Sequence, residues 1–168
     1  MEKYALTGTP GTGKTSVSKL LNEKVISLSN YYEEASEGKT KDGEWIVDIE
    51  KLNRILETLD SNIFEGNFAH KLDNIDKIIV LRCDPSILKE RLLDRGYKKE
   101  KVMANLEAEA IGLIFSESIN YIGKNNVIQI DTSNTDVENL SVIIKKFMNG
   151  KIKVEEEIDY SERILEWY

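Results

Sequence analysis

The residues best placed to do chemistry lie near the N-terminus, in the stretch GTPGTGKT from Gly8 to Thr15. Glycines at 8, 11 and 13 let the backbone turn successive N–H groups inward, which makes a nest for phosphate oxygens. A lysine at the position of Lys14 reaches the β- and γ-phosphates of a nucleotide, and the Thr15 hydroxyl can ligate Mg²⁺ beside them. Every fixed position of the phosphate-loop pattern is filled. The Gly-Lys-Thr ending recurs in EGKT, Glu37 to Thr40, but Glu33 stands where the leading glycine belongs, so that copy is rejected.

A cradle of this kind works with a carboxylate near the magnesium water shell, at the C-terminal end of a neighbouring strand. Asp84 closes the run KIIVLRCD, yet it precedes Pro85 and reads better as a helix N-cap. Glu65 ends NIFE and is followed by Gly66, which permits close backbone approach to a ligand, so Glu65 is the expected magnesium-side carboxylate. Charge spread over a transferring phosphoryl group calls for cations that close over it. Arg91 and Arg95, in KERLLDRGY, are four apart on a predicted helix and share a face, as a two-pronged clamp requires.

Elements that position these groups follow from periodicity. KYALT, VISLS, NIFEG, KIIVLRC and NVIQI read as strands. GKTSVSKLLNE, DIEKLNRILETL, the stretch from Pro85 to about Arg95, KVMANLEAEAIGLIFSESINYI and DVENLSVIIKKFM read as helices. Strands separated by helices predict an α/β fold with a parallel sheet covered on both faces. With 168 residues and no repeat or linker, residues 1–168 are expected to form one domain. The 23 basic and 30 acidic side chains leave a net charge of -7, which argues against a nucleic-acid-binding surface. One cysteine, Cys83, excludes an internal disulfide, sits in an apolar strand and is read as core. With no signal peptide and no apolar run long enough to span a membrane, the expected location is the cytoplasm. Trp45 is expected to pack. The tail KVEEEIDYSERILEWY is expected to dock on its own domain, with Ser161 capping a short helix, the alternative being a partner-binding segment.

Taken together, GTPGTGKT, VDIEKL, LRCD, ERLLDRGY with KVMANLEAE, and the late IDTSNT resemble the adenylate kinase isoenzyme 6 family, small P-loop kinase-like ATPases of eukaryotes and archaea. The resemblance covers most of the chain. It implies a P-loop NTPase fold of the nucleoside monophosphate kinase type with a central parallel five-stranded sheet. It also implies a monophosphate-binding helical region near residues 30–60 and a lid near 95–110. ATP and Mg²⁺ are the implied cofactors, with Gly11, Thr12, Gly13, Lys14, Thr15 and Ser16 at the phosphates and Thr132 and Ser133 beside the adenine. Lys14, Glu65, Arg91 and Arg95 would serve the reaction, with Thr15 and Glu65 on the metal side. The implied activity is ATP-dependent phosphorylation of AMP or another nucleoside monophosphate, with ATP hydrolysis as a further activity. The alternative is an ATPase assembly factor acting on a small-subunit ribosomal protein, which the acidic surface suits.

Two departures bear on function. Glu65-Gly66-Asn67 stands where the family carries Asp-x-His, and an amide such as Asn67 can orient water without acting as a base. His70, three residues later, is the candidate substitute. Glu33 stands where monophosphate kinases commonly present an arginine, leaving Lys39, Lys41 and Arg54 as candidate cations for the acceptor phosphate.

Overall fold

An apolar run such as KIIVLR is satisfied only by a strand covered on both faces. The computed structural model describes residues 1–153 and 157–168 and places that run inside a five-stranded parallel sheet. The chain runs β1 (Tyr4–Gly8), α1 (Lys14–Ser18), β2 (Val25–Ser27), β3 (Ser36–Lys39), β4 (Trp45–Val47), α2 (Ile49–Leu56), β5 (Ile63–Glu65) and β6 (Lys77–Arg82). It continues as α3 (Pro85–Asp94), α4 (Lys99–Ala110), α5 (Leu113–Ile122), β7 (Val127–Asp131) and α6 (Val137–Met148). The main sheet has the order β2-β5-β1-β6-β7, with β1 pairing in parallel to β5 on one side and β6 on the other. The expected five-stranded parallel architecture is therefore the one observed.

Alternation along the strands divides the core between the two sheet faces. Ala5, Phe64, Ile78 and Val80 face α2 and α5 through Leu52, Leu56, Phe115 and Ile119. Leu6, Ile79, Leu81 and Ile130 face α1 and α6 through Val17, Leu21, Leu140 and Ile144. A third cluster, Cys83, Leu88, Leu92, Val102 and Leu106, joins α3 to α4, and Trp167 of the tail packs on it. The acidic run of the tail falls partly on residues 154–156, outside the described residues. The rest of the tail docks as expected, with Arg163 paired to Asp84 at 2.9 Å and the Tyr168 hydroxyl donating to Glu107.

Several local expectations are corrected. The first helix stops at Ser18, because Leu20 and Leu21 donate three residues back, to Val17 and Ser18, and Asn22 then takes a positive φ. Residues 30–60 are less helical than expected. A 3₁₀ turn, Leu28–Tyr31, leads into the antiparallel hairpin β3–β4, and Ile49–Leu56, capped by Asp48, is the α-helix of the region. The long helical stretch after Lys99 is two helices, broken at Gly112 with φ 64°. Ser161 is the first residue of a 3₁₀ turn rather than its cap; its N–H donates to Asp159 at 2.9 Å. Asp84 caps α3 as expected, accepting from the Ser86 N–H at 2.9 Å.

Candidate functional site

Placing β1 between β5 and β6 opens a crevice at the carboxyl ends of the strands, where open α/β sheets hold ligands. The loop Thr9–Gly13 leaves β1 there and meets Ser27 and Glu65, the last residues of β2 and β5. Together they line a cavity of about 150 Å³ with Gly11, Gly13, Lys14, Thr15, Tyr32, Arg95 and Tyr97. Gly66 also lines it. A β-carbon there would stand 3.0 Å from the Tyr32 hydroxyl and 3.1 Å from Leu28 Cβ, on a backbone with φ +154°.

Lys14 is 8% exposed and its ammonium group donates to the carbonyl oxygens of Gly8 at 2.8 Å and Thr9 at 3.1 Å. Burial lowers its pKa to about 8, with Glu65 opposing the shift and Arg95 adding to it. A lysine held this way carries a proton at neutral pH and is bonded only to neutral carbonyls. It is ready to exchange them for phosphate oxygens. Glu65 is 4% exposed and accepts the Ser27 hydroxyl at 2.6 Å, which fixes one carboxylate oxygen. Thr15 and Glu65 are hard oxygen donors on one cavity, which suits Mg²⁺, an ion commonly held by one or two carboxylates together with substrate phosphates.

The remaining expected residues divide. Arg95 lines the phosphate cavity. Arg91 does not, and instead donates to the Gly11 carbonyl at 3.1 Å and the Thr132 carbonyl at 3.0 Å, tying α3 to the loop and to the turn after β7. Arg95 is the C-cap of α3, one turn beyond Arg91. Thr12 and Thr132 are buried links: the Thr12 hydroxyl donates to the Thr9 carbonyl, and the Thr132 hydroxyl lies 2.8 Å from the Thr12 carbonyl. The Ser133 hydroxyl accepts from the Asp84 N–H at 2.7 Å and donates to Asp131. Ser16 is exposed and lies outside the cavity lining.

A second cavity, of about 510 Å³, shares Pro10, Tyr32, Asn67 and Tyr97 with the first. Trp45 and Phe68 add aromatic faces to it, and its cations are Lys71 and Lys101. Lys39, Lys41 and Arg54 do not line it; Lys39 lies over the Trp45 ring instead, 4.1 Å from its centroid. Lys101, on α4, pairs with Glu44 beside β4 and lies 4.1 Å from the Tyr97 ring centroid. His70 lines the cavity but is 2% exposed, with Nδ1 3.1 Å from the Thr7 hydroxyl and Nε2 2.7 Å from Glu117. Burial lowers the His70 pKa against the pull of Glu117, a carboxylate that is itself partly in water. The neutral ring satisfies both contacts, with Nε2–H donating to Glu117 and Nδ1 accepting from Thr7. Neither nitrogen is left to take a proton from water. Cys83 is buried and its thiol is pushed up to about 11 by that burial, as a core cysteine should be.

Sequence reasoning missed the buried pair of Arg82 and Glu109, 2.7 Å apart and each 2% exposed. The signal was present in LRC, because an arginine at the end of a fully buried strand demands a buried acceptor. It missed Tyr97 and Lys101 as cavity residues because nothing local distinguishes them from a solvated helix start.

Residues 5–112 match the AAA domain family. The chain is 36% identical to a protein named "Putative adenylate kinase" from Methanocaldococcus jannaschii, over 98% of this chain and 96% of the other. It is 37% identical to one of the same name from Pyrococcus abyssi, over 94% of this chain and 91% of the other. Among solved structures it superposes on shikimate kinase from Bacteroides thetaiotaomicron with a TM-score of 0.54. That match has 16% identity and covers 88% of this chain and 98% of the other, a likeness of fold.

Proposed function

We propose, for a chain that belongs to the adenylate kinase-like family of P-loop proteins, that it transfers the γ-phosphoryl group of MgATP to a nucleoside monophosphate, AMP being the expected acceptor. The observation that carries this reading is a pair of adjoining cavities. A phosphate cavity and a larger one with aromatic walls and two lysines share Pro10, Tyr32, Asn67 and Tyr97 in their linings. A transferase needs a donor and an acceptor compartment that meet at the migrating group, and effective molarity does much of the rest.

In this reading the loop amides and Lys14 hold the donor phosphates, Lys14 leaving the Gly8 and Thr9 carbonyls to do so. Arg95 neutralises charge on the migrating group. Thr15 and Glu65 hold Mg²⁺, which when bound would neutralise the phosphate charge. Tyr32, Trp45, Phe68 and Tyr97 offer stacking surfaces for a base, and Lys71 and Lys101 are the cations available to the acceptor phosphate. Segment 95–110 serves as the lid. Transfer is favoured over hydrolysis because Asn67 cannot accept a proton and both His70 nitrogens are engaged.

ADP formation from ATP should depend on an added monophosphate, with AMP fastest in a panel that includes GMP, CMP, UMP and dAMP. ATP consumption no faster with any of them than with water alone would overturn the reading.

A further inference from the structure

Beneath the phosphate loop lies a buried polar cluster that the reaction outlined above does not use. Glu109, in the last turn of α4, is 2% exposed and both of its carboxylate oxygens are engaged. Oε1 accepts from Arg82 Nε at 2.7 Å and from the Cys83 N–H at 3.0 Å. Oε2 accepts the Thr9 hydroxyl at 2.7 Å, and Thr9 is the second residue of the phosphate loop, 3% exposed. Arg82 closes the arrangement by donating from Nη2 to the Glu109 carbonyl at 2.8 Å and from Nη1 to Gln129 at 2.7 Å. A β-carbon at Gly112 would come within 3.3 Å of Arg82 Nη1, so the chain after α4 passes tightly over the guanidinium.

Two features make this more than a way of filling the core. A buried ion pair of this quality commonly adds little stability over apolar residues of the same volume, so stability alone does not account for it. What it positions is also defined. One carboxylate joins the end of β6, the end of α4 and the start of the phosphate loop, and Thr9 supplies one of the two carbonyls that hold Lys14. We propose that Glu109 is a positioning residue for the donor nucleotide: by accepting the Thr9 hydroxyl it locks the phosphate loop to the end of α4 in the conformation that binds triphosphate. The inference rests on the donor side of the reading above, and it holds whether the acceptor is AMP or another monophosphate.

The test therefore reads donor binding directly, by calorimetric titration of the full chain with the Mg²⁺ complex of the β,γ-imido analogue of ATP. The variants are T9V, T9S and E109Q, with unfolding of each followed separately. T9V puts a methyl group in place of the hydroxyl that Glu109 accepts, leaving Oε2 without that donor, and a loop that has lost a hydrogen bond to a charged group should bind nucleotide about tenfold more weakly. T9S restores the hydroxyl and should bind within about twofold of the wild type, a rescue that a packing role for the threonine methyl would not give. In E109Q the amide oxygen faces Arg82 and Cys83 while its NH₂ faces Thr9. Adding T9V to E109Q should then cost less than T9V costs alone. Wild-type affinity in T9V, failure of T9S to rescue, or additive effects in the double variant would each overturn the proposal. Should E109Q fail to fold, because Arg82 loses its counter-charge, the comparison of T9V with T9S still decides.

Discussion

Replacing Lys14 by methionine separates what this side chain does for the fold from what it does for a nucleotide. In the protein as folded its ammonium group is buried, and burial moves its pKa from 10.5 to about 8. That depression corresponds to about 3 kcal/mol by which the folded state disfavours the charged form. At pH 7 the lysine is still protonated, so the wild type carries that cost. Methionine has a similar length and no charge. It also withdraws the donor from the Gly8 carbonyl, at about 1 kcal/mol, while the Thr9 carbonyl keeps the Thr12 hydroxyl as a partner. K14M should therefore be more stable than the wild type at pH 7 by about 1 to 2 kcal/mol. The sign of the pH dependence follows from a folded pKa below the unfolded one. Between pH 8 and 10.5 the folded wild type sheds its proton before the unfolded chain does, gains stability, and closes the gap to K14M, which has nothing to titrate there. Urea unfolding of both proteins at pH 7 and pH 9.5 measures the gap. The same variant should lose about 10²- to 10³-fold in kcat, as loss of one preorganised donor does. A K14M protein less stable than the wild type at pH 7, or a gap that fails to narrow at pH 9.5, would refute the reasoning.

Two further outcomes follow from the geometry. His70 is held neutral by burial with its pKa below the unfolded value, so its contribution is fully present above about pH 6.5 and is lost as pH falls below that, when only the unfolded chain takes up the proton. Midpoints of urea unfolding at pH 7 and pH 5 should therefore fall further in the wild type than in H70Q. Trp167 is half-buried against the cluster of α3 and α4, and W167A should lower stability by about 2 kcal/mol, less than a fully buried tryptophan would cost, as read by thermal unfolding.

Much of this protein was legible from its residues because the signals were local. The phosphate loop depends on glycines and a Lys-Thr pair within eight consecutive residues, so GTPGTGKT carries its chemistry wherever the chain goes. The strand KIIVLR and the Asp84–Pro85 helix start are likewise settled by pattern and capping, and both stand as expected. Glu65 closes β5 and lines the phosphate cavity, a position that a strand-end carboxylate followed by glycine announces locally.

The residues that read poorly are those whose partners are distant in sequence. Arg91 and Arg95 share a predicted helix face, yet the first donates to the Gly11 and Thr132 carbonyls, 80 and 41 residues away in the chain, and the second lines the cavity. Nothing near residues 30–43 announces a hairpin, because Ser36–Lys39 and Trp45–Val47 are held chiefly by each other, and of these residues Val47 packs on the core. Lys39, Lys41 and Arg54 do not line the second cavity, whereas Lys71 and Lys101, from segments after residue 60, do.

By itself, then, the sequence determined the phosphate loop and the parallel α/β sheet behind it. These rest on backbone preferences and periodicities that act within a few residues. Tertiary structure alone decided the buried tie from Thr9 through Glu109 to Arg82, the engagement of both His70 nitrogens, and the place of Tyr32 and Tyr97 in the linings of two adjoining cavities. Each of these depends on groups tens of residues apart meeting in a low-dielectric interior, where an unmatched charge or donor is costly and a matched one fixes position.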